Sequence, residues 1–240
     1  MPPRAAWRGS RGYSSRAHLS RCTHQRGQVG PCENAKVSPT GSRSRPFGIA
    51  ACLVVAGAIG FIAALALTLD KIALLENPDA QLSCSFSVLI GCSTNLNSAQ
   101  GAVFGLPNPL LGLAFWAAVV TVGVAILAGA QFARWFWLLL NLGIAGSLAL
   151  VVWFIAQSIF VLRVLCPWCM ATWAVTIPVF LLVTLYSISS GIIPAPTAVR
   201  RAAGVAYGWI PPITVLCYLV VAFLAQWQLD VLGQVLLLVS

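Results

Sequence analysis

The sequence is short of charge, and shorter still of acid. Only 8% of its 240 residues are charged and only five are Asp or Glu, whereas a soluble domain carries about 25% charged residues. So few charges cannot cover the surface of a soluble fold. Intrinsic disorder is excluded for the body of the chain, because 59% hydrophobic residues is the opposite of a disordered composition. The 20 Gly and 14 Pro fall in no fixed period, which removes collagen and other fibrous classes. Haem ligand pairs, iron–sulfur spacings and glycine-rich nucleotide fingerprints are also missing. What remains is an integral membrane protein of all-α class.

The net charge of +9 suggests nucleic-acid binding, but its distribution argues against that. Nine of the 14 Lys and Arg precede Phe47, against the single acid Glu33. From Phe47 onward five Lys and Arg meet four acids. The basicity therefore belongs to residues 1–46, an Arg-, Ser- and Gly-rich segment that reads as a disordered cytoplasmic tail near anionic lipid. This reading is preferred over an Arg-rich transit peptide. The spacings of His18, Cys22, His24 and Cys32 in the tail match no zinc pattern.

A helix needs about 20 apolar residues to cross a bilayer core. Five stretches qualify: 47–69, 109–130, 136–162, 165–189 and 209–229. They are continuously apolar and do not alternate as barrel strands would, so they are helices. The basic tail, Arg134, Arg200 and Arg201 all fall on one side, which the positive-inside rule makes cytoplasmic. The opposite side receives a loop over 70–108, Arg163 and the C-terminal end. Only Lys71 and Arg163 run against the rule. The expected layout is a tail at 1–46, a core at 47–190 and a cytoplasmic loop with a fifth span at 191–240. The N-terminus is inside and the C-terminus outside.

Cys52 and Cys217 lie within apolar spans, where a lone cysteine packs as a small hydrophobe. The other four cysteines are on the non-cytoplasmic side. Cys84 and Cys92 lie in the polar 70–108 loop, and Cys166-Pro-Trp-Cys169 opens the fourth span. The folding of the spans returns two remote pairs to one membrane face. A Cys-x-x-Cys at a helix start has unpaired N–H groups and the positive end of the helix dipole beside it, which favour a thiolate. Pro167 suits the first turn. A tetrahedral zinc site is the competing reading, but Cys84 and Cys92 are not a close second pair, and the outer compartment favours disulfides. Four cysteines permit three pairings. Two dithiol pairs suggest a relay by thiol–disulfide exchange. Electrons entering from a soluble dithiol would leave through a lipid-soluble carrier, for which a quinone is the economical choice.

Over about 47–190 the chain resembles the bacterial branch of the vitamin K epoxide reductase family. The resemblance rests on the first span, the spacing of Cys84 and Cys92, the segment Ser98-Ala-Gln-Gly-Ala-Val-Phe-Gly-Leu-Pro-Asn-Pro109, and Cys166-Pro-Trp-Cys169. It implies a four-helix bundle enclosing a quinone pocket (menaquinone or ubiquinone), capped by the outer loop, with a fifth transmembrane helix added. It implies that Cys84 meets the thiols of a periplasmic thioredoxin-fold partner, that Cys92 shuttles electrons to Cys166, and that Cys169 stands nearest the quinone. Ser98 becomes a polar group near the pocket, and Asn108 a hydrogen-bond donor to a quinone carbonyl. Trp173 falls where vertebrate members have a Tyr, so a second quinone hydrogen bond would come from its indole N–H. Ser85 departs from the family's common Asp. Trp116 and Trp168 are candidates for the pocket wall or for an interfacial aromatic belt. Many bacterial members continue into a thioredoxin-like domain, and this chain stops at Ser240, so a separate redox partner is expected. The resulting expectation is a quinone-dependent thiol-disulfide oxidoreductase of the plasma membrane, without metal or nucleic acid. The alternatives are a vitamin K epoxide or quinone reductase in a vitamin cycle, a cysteine-ligated metal protein, and a structural membrane protein stapled by disulfides.

Overall fold

The computed structural model describes residues 47–78, 80, 82, 84, 91–103, 105–230 and 233. The tail at 1–46, Ser85 and Asp79 lie outside the described residues. Those described are mainly helical, with no strand among them. In chain order the helices are α1 (Phe47–Glu76), α2 (Ser93–Asn97), a 3-10 turn (Ala99–Ala102), α3 (Asn108–Leu127), α4 (Arg134–Ala156), α5 (Pro167–Ser189), α6 (Thr197–Gly208) and α7 (Ile210–Leu229). A π-helical segment, Gln157–Leu162, continues α4. Five helices are long and apolar enough to cross a membrane: α1, α3, α4 with its π extension, α5 and α7. The all-α membrane bundle expected from the sequence is what the chain forms.

α1 packs against α3 and α5, α4 against α5, and α7 against α5 and the π segment. In a bilayer the lipid tails are as apolar as the helices, so close packing has to hold them together. Small residues make it possible. At Gly60 an added Cβ would collide with the Trp116 ring, and at Gly123 it would meet the backbone of Val54 and the Ala50 carbonyl. Trp116 is therefore a buried strut between α1 and α3, 2% exposed; it is neither an interfacial anchor nor part of the cavity wall described below. Leu139, Leu142, Leu219 and Phe223 are exposed on α4 and α7, as a lipid-facing surface requires.

Two expectations about boundaries change. α1 does not stop where its apolar run stops, and continues to Glu76. Asp70 and Lys71, expected in a loop, sit on its last turns, because a helix leaving the bilayer no longer needs apolar residues. Lys71, which ran against the positive-inside rule, acts locally. Its Nζ donates to Leu96 O at 2.8 Å and Asn97 Oδ1 at 3.2 Å. It thereby ties α1 to the exposed carbonyl end of α2. The stretch between the last two spans, read as a loop, contains the amphipathic helix α6. Its alanines and two arginines are too polar on average to register as a span. Arg200 Nη2 reaches Ser189 O, and Arg134 Nε donates to Ile192 O at 2.7 Å. Both basic side chains therefore serve carbonyls at or just beyond the C-terminal end of α5, the end remote from Cys166.

Candidate active site

The structure brings Cys84, Cys92, Cys166 and Cys169 together at one end of the bundle. Cys84 and Cys92 are joined as a disulfide, Cα atoms 5.8 Å apart. Cys92 Sγ lies 2.9 Å from Cys166 Sγ. Cys166 and Cys169 are free thiols. These sulfurs sit in an apolar cluster with Leu67, Leu74, Leu82 and Leu96, against which Trp168 and Cys169 pack. Cys84 is 1% exposed and Cys92 and Cys166 are fully buried. The sequence places Cys84 on a polar loop open to a partner; in this state its sulfur is covered. Leucines from the end of α1 and from the cap close over it.

The local sequence explains the placement of the inner pair. Cys166 is the N-cap of α5, with Pro167 at the first helical position, where a missing N–H costs nothing. The Cys169 N–H donates to Cys166 Sγ at 3.4 Å, as an N-cap side chain receives the N3 amide. The Cys169 side chain and the amides of Cys169 and Trp168 hold the Cys166 thiol below its ordinary pKa, against the opposing effect of burial. This is the lowered thiol expected of the first cysteine in a helix-opening Cys-x-x-Cys. The chain reaches this helix by a sharp reversal at Arg163 (φ 53°). The Gly91 N–H then bonds Leu165 O at 3.1 Å, clamping the Cys92 segment onto the Cys166 segment.

Asp70 is 8% exposed, and its Oδ2 is 3.4 Å from Cys84 Sγ. The ligand atoms of Asp70, Cys84 and Cys92 lie within 4.8 Å of one another, a spacing a metal could use. With the two sulfurs joined to each other, neither is the thiolate that a metal requires.

Beside the sulfurs is a cavity of about 360 Å³, at the lower end of the ~300–1,000 Å³ typical of small-molecule sites. Cys169 and Trp173 from α5, Asn108 and Phe115 from α3, Phe154 from α4 and Ser158 from its π extension line it. The cap contributes Asn95, Leu96 and Gln100. Only Cys169 of the four cysteines reaches the wall. Ser98 does not; its hydroxyl donates to Asn95 O at 2.8 Å and fixes the turn that carries Asn95. Trp168 lies against the sulfur cluster and not in the wall. Asn108 is in the wall, but its carboxamide is mostly engaged. Its Oδ1 accepts from Val103 N–H at 3.1 Å, and its Nδ2 donates to Gln100 O. It clamps the capping turn, leaving one N–H for a ligand.

Sequence reasoning missed Asn95, Gln100, Thr172 and Ser158, which are ordinary polar residues until the fold sets them round one space. Gln100 Nε2 donates to Gln157 Oε1 at 3.3 Å, joining the cap to the π segment; π-helical turns often occur at functional sites. Asn95 Nδ2 is buried with no hydrogen-bond partner among the described residues, the kind of orphaned donor that asks for an explanation. A mostly apolar cavity with a thiol in its wall and a spare amide donor suits a flat ring bearing carbonyl acceptors. The arrangement as a whole can pass two electrons between a covered disulfide and a thiol that faces a small-molecule cavity. The vitamin K epoxide reductase family matches residues 51–184, more than half of the chain and all of this site. Comparison with curated proteins finds no match.

Proposed function

The chain belongs to the vitamin K epoxide reductase family, and from that premise we propose that it oxidises the thiols of a thioredoxin-fold partner and passes the electrons to a membrane quinone, so driving disulfide formation. One observation carries the reading: a row of sulfurs from Cys84 through Cys92 to Cys166, whose Sγ receives the Cys169 N–H, with Cys169 at the cavity wall.

The steps are thiol–disulfide exchanges. With the capping segment opened, a partner thiolate attacks Cys84 Sγ, and Cys92 leaves as a thiolate. The partner's second thiol attacks the mixed disulfide, so the partner departs oxidised and Cys84 and Cys92 are both reduced. Cys92 then attacks Cys166 of a Cys166–Cys169 disulfide, and Cys169 leaves. Cys84 closes on Cys92 and releases Cys166. The inner pair is now reduced and the outer pair oxidised, which is the state of this structure. A quinone bound in the cavity would accept the two electrons. Cys169 would present its sulfur there, Trp173 and Phe115 would bound the ring, and Asn108 and Asn95 would offer N–H groups to its oxygens. The apolar wall keeps water from the exposed sulfur.

We place the cysteine end outside the cell, because Arg134, Arg200 and Arg201 gather toward the opposite end. There an oxidising compartment can supply thiol substrates. The test is expression in a strain lacking its own disulfide-generating membrane enzyme. Wild-type protein should restore disulfides in exported proteins, and Cys169→Ala should not. Cys92→Ala with Cys84 intact should accumulate a mixed disulfide to a thioredoxin-fold protein. Well-expressed protein that gives neither rescue nor trapped complex would overturn the reading.

A further inference from the structure

Four groups stand in sequence at the outer end of α1: the Asp70 carboxylate, then the sulfurs of Cys84, Cys92 and Cys166. Asp70 Oδ2 is 3.4 Å from Cys84 Sγ. Cys84 is bonded to Cys92. Cys92 Sγ is 2.9 Å from Cys166 Sγ, and Cys166 Sγ receives the Cys169 N–H. The row has a proton acceptor at one end and a stabilised sulfur anion at the other. Asp70 takes no part in the relay described above, yet its carboxylate stands beside the first sulfur of the row.

We propose that Asp70 is the base that takes the Cys84 proton when Cys84 attacks a Cys92–Cys166 disulfide. The inference rests on the relay reading and deepens it. In the step, the Cys84 S–H bond breaks and its proton passes to the Asp70 carboxylate. The freed electron pair forms the Cys84–Cys92 bond, the Cys92–Cys166 bond breaks, and Cys166 departs as a thiolate. Two electrons move from Cys84 to Cys166, so charge and protons balance with no further reactant. The structure is the product of this step, with Asp70 still beside the sulfur it deprotonated.

Two features make a base necessary here. A Cys84 thiol that attacks has to give up its proton as the new S–S bond forms, and the Asp70 carboxylate is 3.4 Å from its sulfur. The departing Cys166 anion is favoured by the Cys169 side chain and the N–H groups at the start of α5, against burial and the Asp70 charge. Cys84 and Cys92 of the capping segment lie beside Asp70, and its charge reaches Cys166 at the start of α5. Lys71, its neighbour on α1, turns to Leu96 and Asn97.

The test follows the disulfides themselves. Full-length protein, reduced and freed of reductant, is oxidised with diamide in one series and with a soluble quinone in another. Samples are quenched with N-ethylmaleimide and their disulfide-linked peptides quantified. In Asp70→Asn the Cys92–Cys166 linkage should persist near neutral pH, with Cys84 alkylated. Its resolution should be slowed about 10²-fold, the lower end of what general bases contribute. Raising the pH should restore the rate, because hydroxide then ionises Cys84 directly, and Asp70→Glu should retain most of it. Asp70→Ser provides the same readout should the amide disturb packing. Resolution at the wild-type rate in both variants, or slow resolution that alkali does not relieve, would overturn the proposal. The diamide series isolates this step: its success with a silent quinone series would reject the quinone and keep the base.

Discussion

The carboxamide of Asn108 is expected to hold the cavity wall more than the ligand, and replacing it by Ala tests that assignment. The side chain makes two hydrogen bonds to the capping turn, one from Val103 N–H and one to Gln100 O. Each is worth about 0.5–1.5 kcal/mol net, so Asn108→Ala should destabilise the turn locally by about 1–3 kcal/mol. Every ~1.4 kcal/mol is tenfold in an equilibrium constant, and amide exchange follows the local opening equilibrium. The Val103 amide should therefore exchange about 5–150-fold faster in the variant. Exchange in the middle of α3 and α5 should be unchanged, because those helices are held by the α1 interface. Hydrogen exchange of the detergent-solubilised protein, read on peptides covering 99–106, measures this directly. Quinone binding should weaken as the wall that carries Gln100 loosens. Unchanged exchange at Val103 together with weakened binding would refute the reasoning, since Asn108 would then act on the ligand alone.

Other perturbations probe the packing and the nucleophile. Gly60→Leu drives a side chain into the Trp116 ring and should cost about 1–3 kcal/mol, as overpacking does; thermal unfolding of the purified protein in detergent reads it, and an unchanged midpoint would contradict the α1–α3 contact. The Cys166 thiol is held below its ordinary pKa, chiefly by the Cys169 side chain. Its alkylation by iodoacetamide should reach half-maximal rate below the ordinary thiol value of about pH 8.5, and Cys169→Ala should move that midpoint upward. Because the folded value is the lower one, the associated stability is present above the unfolded thiol pKa and is lost as pH falls through the folded value. A midpoint at or above the ordinary value in the wild-type protein would remove the argument for Cys166 as the stabilised leaving group.

How much of the molecule was legible in its sequence varies with the kind of force involved. The α-helical spans could be read directly, because lack of water forces every backbone group in a bilayer to bond within its own helix. Apolar run length is thus a near-complete statement of structure there. The end of α1 and the existence of α6 were not legible, since outside the hydrocarbon a helix may continue in polar sequence. The N-cap setting of Cys166 was legible, because a helix start, its Pro167 and its N-cap are matters of a few consecutive residues. Ser98 was read as a polar group near the pocket and turned out to hold the turn instead. Its environment depends on where Asn95 stands, which no local pattern specifies.

By itself, then, the sequence determined that the chain is a helical membrane protein and that Cys84, Cys92, Cys166 and Cys169 share one face, since both follow from local chemistry and from counting crossings. Only the tertiary structure decided which sulfurs touch, that Cys169 alone reaches the cavity, that Asn108 is largely occupied by the capping turn, and that Asp70 stands beside Cys84. Those facts depend on distances between residues remote in the chain. Such distances are set by how closely α1, α3 and α5 pack, through glycines that carry no chemistry of their own.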